Sequence, residues 1–233
     1  MKVALLLLAA GRGTRFGGEV PKGFLRLGGK TLLERSAERL RALCPEPEGE
    51  LIVLVGPQDR TTLLPPLMGA LHALSARIVD GGETRQQSMQ NGLAAASSNC
   101  DVVLVHDAAR PLFPLAAART CIDRARAVGA ALLAVPAADT LKRCRADGTV
   151  ETTIDRRGVW CAQTPQALRR DVLLRAIQHA EQHGIEATDD VSLAEAIGCP
   201  VAVVTGSPQN LKITHPADLA VAEALLRHSE EHA

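Results

Sequence analysis

Aromatic residues are scarce in this chain of 233 residues: they make up 2% of it, and tyrosine is absent. Proteins that bind single-stranded nucleic acid stack the bases on aromatic side chains, so the composition argues against that class of function. Lys and Arg together number 26, and Asp and Glu together also number 26. A chain without net charge offers no broad basic surface to nucleic acid or to anionic membranes. Any site for a polyphosphate must therefore be a local cluster of cations.

Closely spaced cysteines and long apolar runs are missing as well. The six cysteines are scattered and include no Cys-x-x-Cys pair, which argues against a zinc site or a redox dithiol. We expect free thiols in a reducing cytoplasm. No run approaches the roughly 18 apolar residues of a membrane span, and the short run Val3–Ala10 leads into a glycine-rich loop, unlike a signal peptide. These features predict a soluble, cytoplasmic protein.

What the chain does contain is a regular alternation of apolar runs and helical patterns. Short apolar runs that end at Gly, Pro or Asp are typical of buried strands, and their alternation with helices predicts βαβ units on a mostly parallel, doubly wound sheet of the α/β class. We expect a single domain over residues 1–233. The predicted strands are Val3–Ala10, Leu51–Val55, Arg77–Asp80, Val102–Val105, Ala130–Val135 and Val201–Val204, with a further short strand at Asn210–Ile213.

Helical periodicity predicts the intervening helices. Thr31 and Glu34 form a capping box at the start of one of them. The other predicted helices span 58–73, with an interruption at a Pro pair, and 83–96, 115–128, 166–182, 188–197 and 216–228.

Residues 139–160 interrupt this alternation. The segment is polar, and Asp147-Gly148 between two Thr-, Val- and Ile-bearing stretches predicts a β-hairpin. A polar hairpin with no neighbour to pack on could be an arm that crosses to a second copy of the chain, or a surface flap.

The first predicted strand ends in a loop rich in glycine and arginine. Glycines let backbone N–H groups turn towards an anion, and the basic side chains supply charge where a polyphosphate would lie. Phe16 breaks the dinucleotide pattern G-x-G-x-x-G, and Phe24 breaks the Walker pattern. A tight turn with solvated arginines is the alternative interpretation. The loop contains Gly11, Arg12, Gly13, Arg15, Gly17 and Gly18, and it closes on Pro21-Lys22.

Three other predicted strands end in polar segments. In a parallel sheet, ligands bind at the carboxyl ends of the strands. These ends carry Asp80–Ser88, His106–Pro111 and Lys212. A carboxylate beside a polyphosphate loop is a common ligand of Mg²⁺, so we predict that Asp107 binds the metal, although a lone Asp after a strand is often only a cap or turn residue.

The glycine loop is similar to those of nucleotidyltransferases that act on phosphorylated sugars and polyols. Further motifs make the resemblance specific, and in order along the chain they are similar to the 2-C-methyl-D-erythritol 4-phosphate cytidylyltransferase family of the non-mevalonate isoprenoid pathway. These motifs are V-L-V-H-D-A-A-R-P at 103–111, D-G-G-E-T-R-x-x-S at 80–88, D-T-L-K at 139–142, T-I-D-R at 153–156, Q-T-P-Q at 163–166, T-D-D at 188–190 and N-L-K-I-T at 210–214.

The resemblance implies a homodimer with interlocked β arms that uses CTP, methylerythritol phosphate and Mg²⁺. It implies that Arg15 and Lys22 stabilise the transition state and that Arg156 and Lys212 position the incoming phosphate. It implies a polyol site made by Asp107, Arg110 and Thr140. The nucleotide would lie against Ala9, Ala10, Gly11, Gly13, Arg15, Lys22, Gly81, Gly82, Glu83, Ser88 and Ala108.

Two positions depart from the usual pattern of the family. Gly23 follows Lys22 where the family usually has Gln, and Glu83 stands where Asp is common. Neither departure removes a charged catalytic candidate. A related ribitol 5-phosphate cytidylyltransferase and a non-catalytic nucleotide-binding protein on the same fold are the alternative functions.

Overall fold

A computed structural model describes residues 2–11 and 20–231 of the chain. A seven-stranded sheet forms the centre of the part described. Two short hairpins accompany it. The strands are, in chain order, β1 (Lys2–Leu8), β2 (Arg26–Leu27), β3 (Lys30–Thr31), β4 (Gly49–Val55), β5 (Arg77–Asp80), β6 (Cys100–Asp107), β7 (Ala130–Pro136), β8 (Leu141–Cys144), β9 (Val150–Ile154), β10 (Trp160–Arg169) and β11 (Val201–Thr205).

The strand order in the sheet is β11-β7-β10-β6-β1-β4-β5. All neighbouring strands run parallel except β10, which is antiparallel to both β6 and β7. The carboxyl ends of β1, β4, β5 and β6 therefore meet along one edge of the sheet. This arrangement confirms the predicted α/β class with a mostly parallel sheet.

Helices cover both faces of the sheet. Successive side chains of a strand point to opposite faces, and β1 places Leu5 and Leu7 in one buried cluster and Ala4 and Leu6 in the other. The helices are α1 (Leu32–Leu43), α2 (Pro57–Thr62), α3 (Met68–Ala73), α4 (Arg85–Ala95), α5 (Leu115–Val128), α6 (Arg170–His183), α7 (Asp190–Ala196) and α8 (Pro216–Glu231). The first cluster includes residues of α1 and α5, and the second includes residues of α4, α6 and α7.

The prediction for residues 166–182 was wrong at its start. The chain does not turn helical at Gln166; it continues as β10 to Arg169, and α6 begins at Arg170. Pairing with β6 and β7 on both sides outweighs the local helical pattern. The buried Gln166 side chain is satisfied by α7, since it accepts from the Asp190 N–H at 2.9 Å and donates to Asp189 Oδ2 at 2.8 Å.

The predicted strand at Asn210–Ile213 was also wrong. This segment has no strand pairing in the described structure. It is nevertheless held against the end of β6, because the Ile213 N–H donates to the Ala109 carbonyl at 2.9 Å. The side chain of Lys212 therefore still reaches the same edge of the sheet.

The predicted hairpin within 139–160 is confirmed. β8 and β9 pair antiparallel in a separate two-stranded sheet, and Gly148 takes a φ of +83° in the turn between them. Nearly all residues of these two strands are exposed. We call residues 139–160 the arm. None of the helices in the described part of the chain combines the length and apolar character that crossing a bilayer would require.

Candidate active site

A cavity of about 890 Å³ opens at the carboxyl edge of the sheet. The segments that follow β1, β4, β5 and β6 surround it, and one residue comes from the irregular segment before α8. Its lining comprises Leu8, Ala9, Ala10, Gly11, Lys22, Gly23, Gly56, Pro57, Gln58, Asp59, Gly81, Gly82, Glu83, Thr84, Arg85, Gln87, Ser88, Asp107, Ala108, Ala109 and Lys212.

The end of β1 supplies the backbone on one side of the cavity. The Ala9 N–H donates to the Leu54 carbonyl at 2.8 Å, and the Ala108 N–H donates to the Leu8 carbonyl at 3.0 Å. These bonds tie the end of β1 to its two neighbouring strands. The loop that begins here is predicted to bind phosphate, but residues 12–19, including Gly13 and Arg15, lie outside the described residues.

Lys22 begins a short 3₁₀ turn, Lys22–Phe24, on the far side of that loop. The next residue, Gly23, is buried and lies close to β1: a Cβ at this position would come within 3.3 Å of the Ala9 Cβ. A longer residue here would have to push Ala9 or the turn away from the cavity. The departure from the family pattern at Gly23 therefore permits close contact between the turn and the strand.

The glycine pair after β5 brings backbone to the cavity wall. The Gly81 N–H donates to the Val55 carbonyl at 2.8 Å, and a Cβ on Gly81 would collide with the Ala10 Cβ. The Gly82 N–H donates to Ser88 Oγ at 3.0 Å. The glycines are thus needed for close approach of the chain, which leaves polar backbone along the wall where a flat base could lie.

The amino end of α4 also faces the cavity. Thr84 caps the helix by accepting the Gln87 N–H at 3.0 Å, and Gln87 Oε1 accepts the Glu83 N–H at 2.8 Å. Ser88 Oγ donates to the Thr84 carbonyl at 3.0 Å. The positive end of the helix dipole and the capped turn together favour an electron-rich ligand at this position.

Asp107, at the end of β6, is the centre of a charged cluster. Its Oδ2 accepts from Lys212 Nζ at 2.7 Å, and its Oδ1 accepts from Arg85 Nε at 3.2 Å. Burial by itself would raise the pKa of Asp107, but the charges of Arg85 and Lys212 outweigh burial and hold this pKa well below its usual range. The carboxyl group is therefore ionised at any pH near neutrality.

Arg85 extends this cluster to a second carboxylate. Its two terminal nitrogens bind Asp190 Oδ1 at 2.8 Å and Oδ2 at 2.7 Å. Burial lowers the pKa of Arg85, but the carboxylates of Asp190 and Asp107 more than offset this and raise it. Arg85 was not among the predicted site residues, although it belongs to the D-G-G-E-T-R motif, and Asp190 belongs to the T-D-D motif.

His106 lies beneath Asp107 and is fully buried. Its Nδ1 lies 2.9 Å from Thr164 Oγ1, and its Nε2 lies 3.0 Å from the Arg110 carbonyl. Burial lowers the pKa of His106 to about 3, so the ring is neutral at pH 7. His106 therefore holds the floor of the cavity in place and does not present an acid or base to it.

Three predicted substrate-binding residues are not among those that line the cavity. Arg110 donates to the Asn210 carbonyl at 2.7 Å, and its Nε is buried without a hydrogen-bond partner among the described residues. Thr140 is exposed at the base of the arm, and Arg156, also exposed, donates to the Ala138 carbonyl. The other predicted residues that the structure describes all line the cavity: Ala9, Ala10, Gly11, Lys22, Gly81, Gly82, Glu83, Ser88, Asp107, Ala108 and Lys212.

Comparison with known proteins gives one consistent result. The family model described as IspD: 2-C-methyl-D-erythritol 4-phosphate cytidylyltransferase matches residues 3–228. The chain is similar to the 2-C-methyl-D-erythritol 4-phosphate cytidylyltransferase of Pelotomaculum thermopropionicum, with 41% identity over 228 residues that cover 97% of this chain and 94% of the relative. It is also similar to the bifunctional enzyme IspD/IspF of an Anaeromyxobacter species, with 43% identity over 228 residues that cover 97% of this chain and 57% of the relative.

A solved structure agrees in fold as well as in sequence. The crystal structure of 2-C-methyl-D-erythritol 4-phosphate cytidylyltransferase from Thermus thermophilus matches with a TM-score of 0.80 and 37% identity. The match covers 97% of this chain and 100% of that one. Sequence and fold therefore point to the same relatives along nearly the whole chain.

Proposed function

The chain belongs to the 2-C-methyl-D-erythritol 4-phosphate cytidylyltransferase family, and on this premise we propose how its residues divide the work of the reaction. The protein is a cytidylyltransferase: it transfers the CMP group of CTP to 2-C-methyl-D-erythritol 4-phosphate and releases pyrophosphate. The observation that supports our division of roles is the convergence of distant segments on one cavity. Those to which we assign roles are the end of β1, the glycine pair with α4, the end of β6, and Lys212.

The reaction needs little proton transfer. A phosphate oxygen of the acceptor attacks the α-phosphorus of CTP; the new P–O bond forms as the bond to the bridging oxygen breaks, and pyrophosphate leaves with that electron pair. Because both reactants are anions, catalysis rests on positioning and on cations placed where phosphoryl charge develops. This agrees with the buried His106, whose two ring nitrogens are bonded to Thr164 and to the Arg110 carbonyl and whose lowered pKa keeps it from taking up a proton at pH 7.

The cavity divides naturally between the two substrates. The cytosine of CTP lies against Gly81, Gly82, Glu83 and Ser88, where the backbone and the start of α4 present polar groups. Its phosphates extend along Ala9, Ala10, Gly11 and Ala108 towards Lys22, and the predicted contacts of Gly13 and Arg15 would complete this region. The acceptor lies at Asp107 and Lys212, which accept from its hydroxyl groups and bind its phosphate, respectively.

Magnesium is proposed to enter with the nucleotide. Mg²⁺ in phosphoryl-transfer sites is usually held by one or two carboxylates together with substrate phosphates. Within residues 2–11 and 20–231, no group of three or more His, Cys, Asp or Glu side chains could enclose a metal by itself. Asp107 fits the role of a single protein ligand, since each of its oxygens accepts one hydrogen bond and keeps a second lone pair. When bound, the ion would neutralise charge on the phosphate oxygens.

A homodimer is the proposed working state. Thr140 and Arg156 lie in the arm, outside the cavity of their own chain, although the family resemblance assigns them to the acceptor. The arm carries exposed apolar residues, with Val150 54% exposed and Trp160 40% exposed. A second copy that covers these residues would receive the arm and bring Thr140 and Arg156 to its acceptor site. Arg110, whose buried Nε has no hydrogen-bond partner in the described structure, would contribute to the same acceptor site from its own chain.

The proposed location is the cytoplasm. All six cysteines lie in the described ranges and are free thiols, and two of them, Cys144 and Cys161, are exposed. Exposed thiols that stay unpaired are compatible with a reducing compartment.

A pyrophosphate-release assay tests this function. The wild-type protein, Mg²⁺ and CTP are combined with methylerythritol phosphate or with ribitol 5-phosphate, and UTP replaces CTP in a parallel series. We expect turnover with CTP and methylerythritol phosphate. Turnover of ribitol phosphate alone would reassign the acceptor. CTP binding without pyrophosphate release would instead indicate a non-catalytic nucleotide-binding protein.

A further inference from the structure

Two of the sequence motifs contact each other through residues to which the proposed function assigns no role. Arg85, in the D-G-G-E-T-R motif, begins α4, and Asp190, in the T-D-D motif, begins α7. They are 105 residues apart in sequence, yet the guanidinium of Arg85 makes two parallel hydrogen bonds to the carboxylate of Asp190, at 2.8 and 2.7 Å. This planar, two-bond geometry fixes the orientation of the guanidinium as well as its position.

Asp190 is itself held firmly. Its side chain is 1% exposed, and its N–H donates to Gln166 Oε1 at 2.9 Å, a side chain of the central strand β10. Arg85 is thus held at the cavity by a buried carboxylate that is itself tied to the sheet through Gln166. Its remaining nitrogen, Nε, donates to Asp107 Oδ1 at 3.2 Å.

The contact with Arg85 determines how Asp107 meets Lys212. With Oδ1 held by Arg85, only Oδ2 binds Lys212 Nζ, at 2.7 Å. Without Arg85, both oxygens of Asp107 could turn onto Lys212, and fewer of the three N–H donors of the lysine would remain for the phosphate. The buried carboxylates would also be left with one fewer cation, since Arg85 and Lys212 balance Asp107 and Asp190 one for one.

We propose that Arg85 and Asp190 are positioning residues for the acceptor substrate. Asp190 orients Arg85, Arg85 fixes the carboxylate of Asp107 towards the acceptor hydroxyls, and Lys212 is thereby kept available to the acceptor phosphate. The inference rests on the proposed assignment of Asp107 and Lys212 to the acceptor.

Steady-state kinetics of single variants test the proposal. Arg85→Ala should raise KM for methylerythritol phosphate about tenfold or more, because a misplaced Asp107 weakens binding of the acceptor that it contacts directly. KM for CTP should stay within about twofold, because the magnesium that enters with CTP keeps the nucleotide phosphates as its other ligands. Asp190→Asn should produce the same pattern with a smaller rise. Arg85→Lys should fall between wild type and Arg85→Ala, since one ammonium group cannot bind Asp190 through two bonds and reach Asp107 as well.

Arg126→Ala is the matched control. The side chain of Arg126 is 24% exposed, against 29% for Arg85, and it forms an ion pair with Asp101 at 3.0 Å; neither Arg126 nor Asp101 lines the cavity. Its loss should leave both KM values unchanged. Guanidinium ion added at low millimolar concentration should lower the acceptor KM of Arg85→Ala, because it can refill the space between the two carboxylates, and should have no effect on Arg126→Ala.

Several results would overturn the proposal. One is an equal rise in both KM values, and another is a fall in kcat that follows only the folded fraction measured by circular dichroism. Absence of guanidinium rescue in a folded Arg85→Ala protein is a third. If Arg85→Ala does not fold, an unchanged acceptor KM in the folded Arg85→Lys and Asp190→Asn proteins would also overturn the proposal. Failure of the wild-type protein to use methylerythritol phosphate would refute the proposed function instead, so the two failures are distinguishable.

Discussion

Three of the strands that end at the cavity, β1, β4 and β6, are buried along most of their length, whereas those of the arm are almost entirely exposed. Seven of the eight residues of β6 are buried, and no residue of β8 or β9 is. The polar groups of the cavity are tied by hydrogen bonds to the sheet, as His106 and Asp107 are to Thr164. The polar groups of the arm bond mainly to each other, as Lys142 does to Thr153 at 2.6 Å.

This difference separates two ways of holding a functional side chain. At the cavity, close-packed strands fix the backbone, so that short side chains such as Asp107 have one orientation before substrate arrives. A two-stranded hairpin has no core of its own and is marginally stable by itself. Arg156 and Thr140 can therefore be positioned only when the arm packs against something else, and a second copy of the chain is the proposed partner.

The largest effect is expected from the loss of a cavity cation. Lys212→Ala should lower kcat/KM by about 10²- to 10³-fold, the usual cost of removing one electrostatic donor to a transition state. Lys30→Ala is the control, since Lys30 is 51% exposed, against 41% for Lys212, and its ion pair with Glu38 lies outside the cavity lining. Equal losses in the two variants would mean that Lys212 has no special place in the reaction.

Loss of a cation in the arm should lower kcat/KM about as much as loss of one cavity cation, provided that the arm reaches the cavity of a second copy of the chain. Arg156→Ala is expected to lower kcat/KM by about 10²-fold, and Arg157→Ala to leave it nearly unchanged. Arg157 is exposed and pairs with Asp155 in the same turn, so it serves as the neighbouring control. Pyrophosphate release is measured for both variants, and equal activity of the two would mean that Arg156 takes no part in the reaction.

Mixing an arm variant with a cavity variant tests directly whether the two regions of different chains form one site. If each site combines the cavity of one chain with the arm of another, a heterodimer of Arg156→Ala and Lys212→Ala contains one intact site. Random re-association of equal amounts should restore about a quarter of wild-type activity. No recovery, with dimers present by light scattering, would show that each arm serves its own chain.

The sequence predicts the residues that line the cavity more completely than it predicts the strand that supports them, β10. The ends of β1, β5 and β6 could be predicted because each is a short apolar run followed by glycine or polar residues. The antiparallel strand β10 could not, because buried glutamines at 163 and 166 and Pro165 lack the apolar pattern of a central strand. Their burial depends on partners elsewhere in the chain, such as Asp189 for Gln166 and Asn210 for Gln163.

The same limit explains why Arg85 escaped prediction. An arginine in the first turn of a helix is ordinary in sequence, and its role depends on Asp190, 105 residues away. Only the fold brings the two together. The motif that contains Arg85 was recognisable, but the motif alone did not say which of its residues met which carboxylate.

The pH dependence of folding stability should show that His106 is buried beneath the cavity. The pKa of His106 is lowered to about 3 by burial, whereas an unfolded histidine titrates near its ordinary value of about 6.5. The unfolded state therefore binds a proton that the folded state does not between these values, and stability is full above pH 6.5 and falls as the pH drops. Between pH 7 and pH 5 the loss from this residue should be about 2 kcal/mol.

Urea unfolding of the wild type and of His106→Gln at the two pH values measures this contribution. The variant should be less stable at pH 7, yet it should lose about 2 kcal/mol less than the wild type on going to pH 5. Parallel losses in the two proteins would mean that the acid sensitivity arises elsewhere.

The smallest effect concerns how firmly the cavity wall is anchored. Thr84→Ala removes the cap of α4, and Thr31→Ala removes the same type of cap, a Thr paired with the residue three positions later, from α1. Each change should lower the free energy of unfolding by about 1 kcal/mol. Of these two helices, α4 alone begins at the cavity, where Glu83 and Ser88 flank the proposed base site, so only Thr84→Ala should also raise KM for CTP. If both variants lost stability alike and neither changed KM, the wall would be positioned by the glycine pair and β5 rather than by the capped helix.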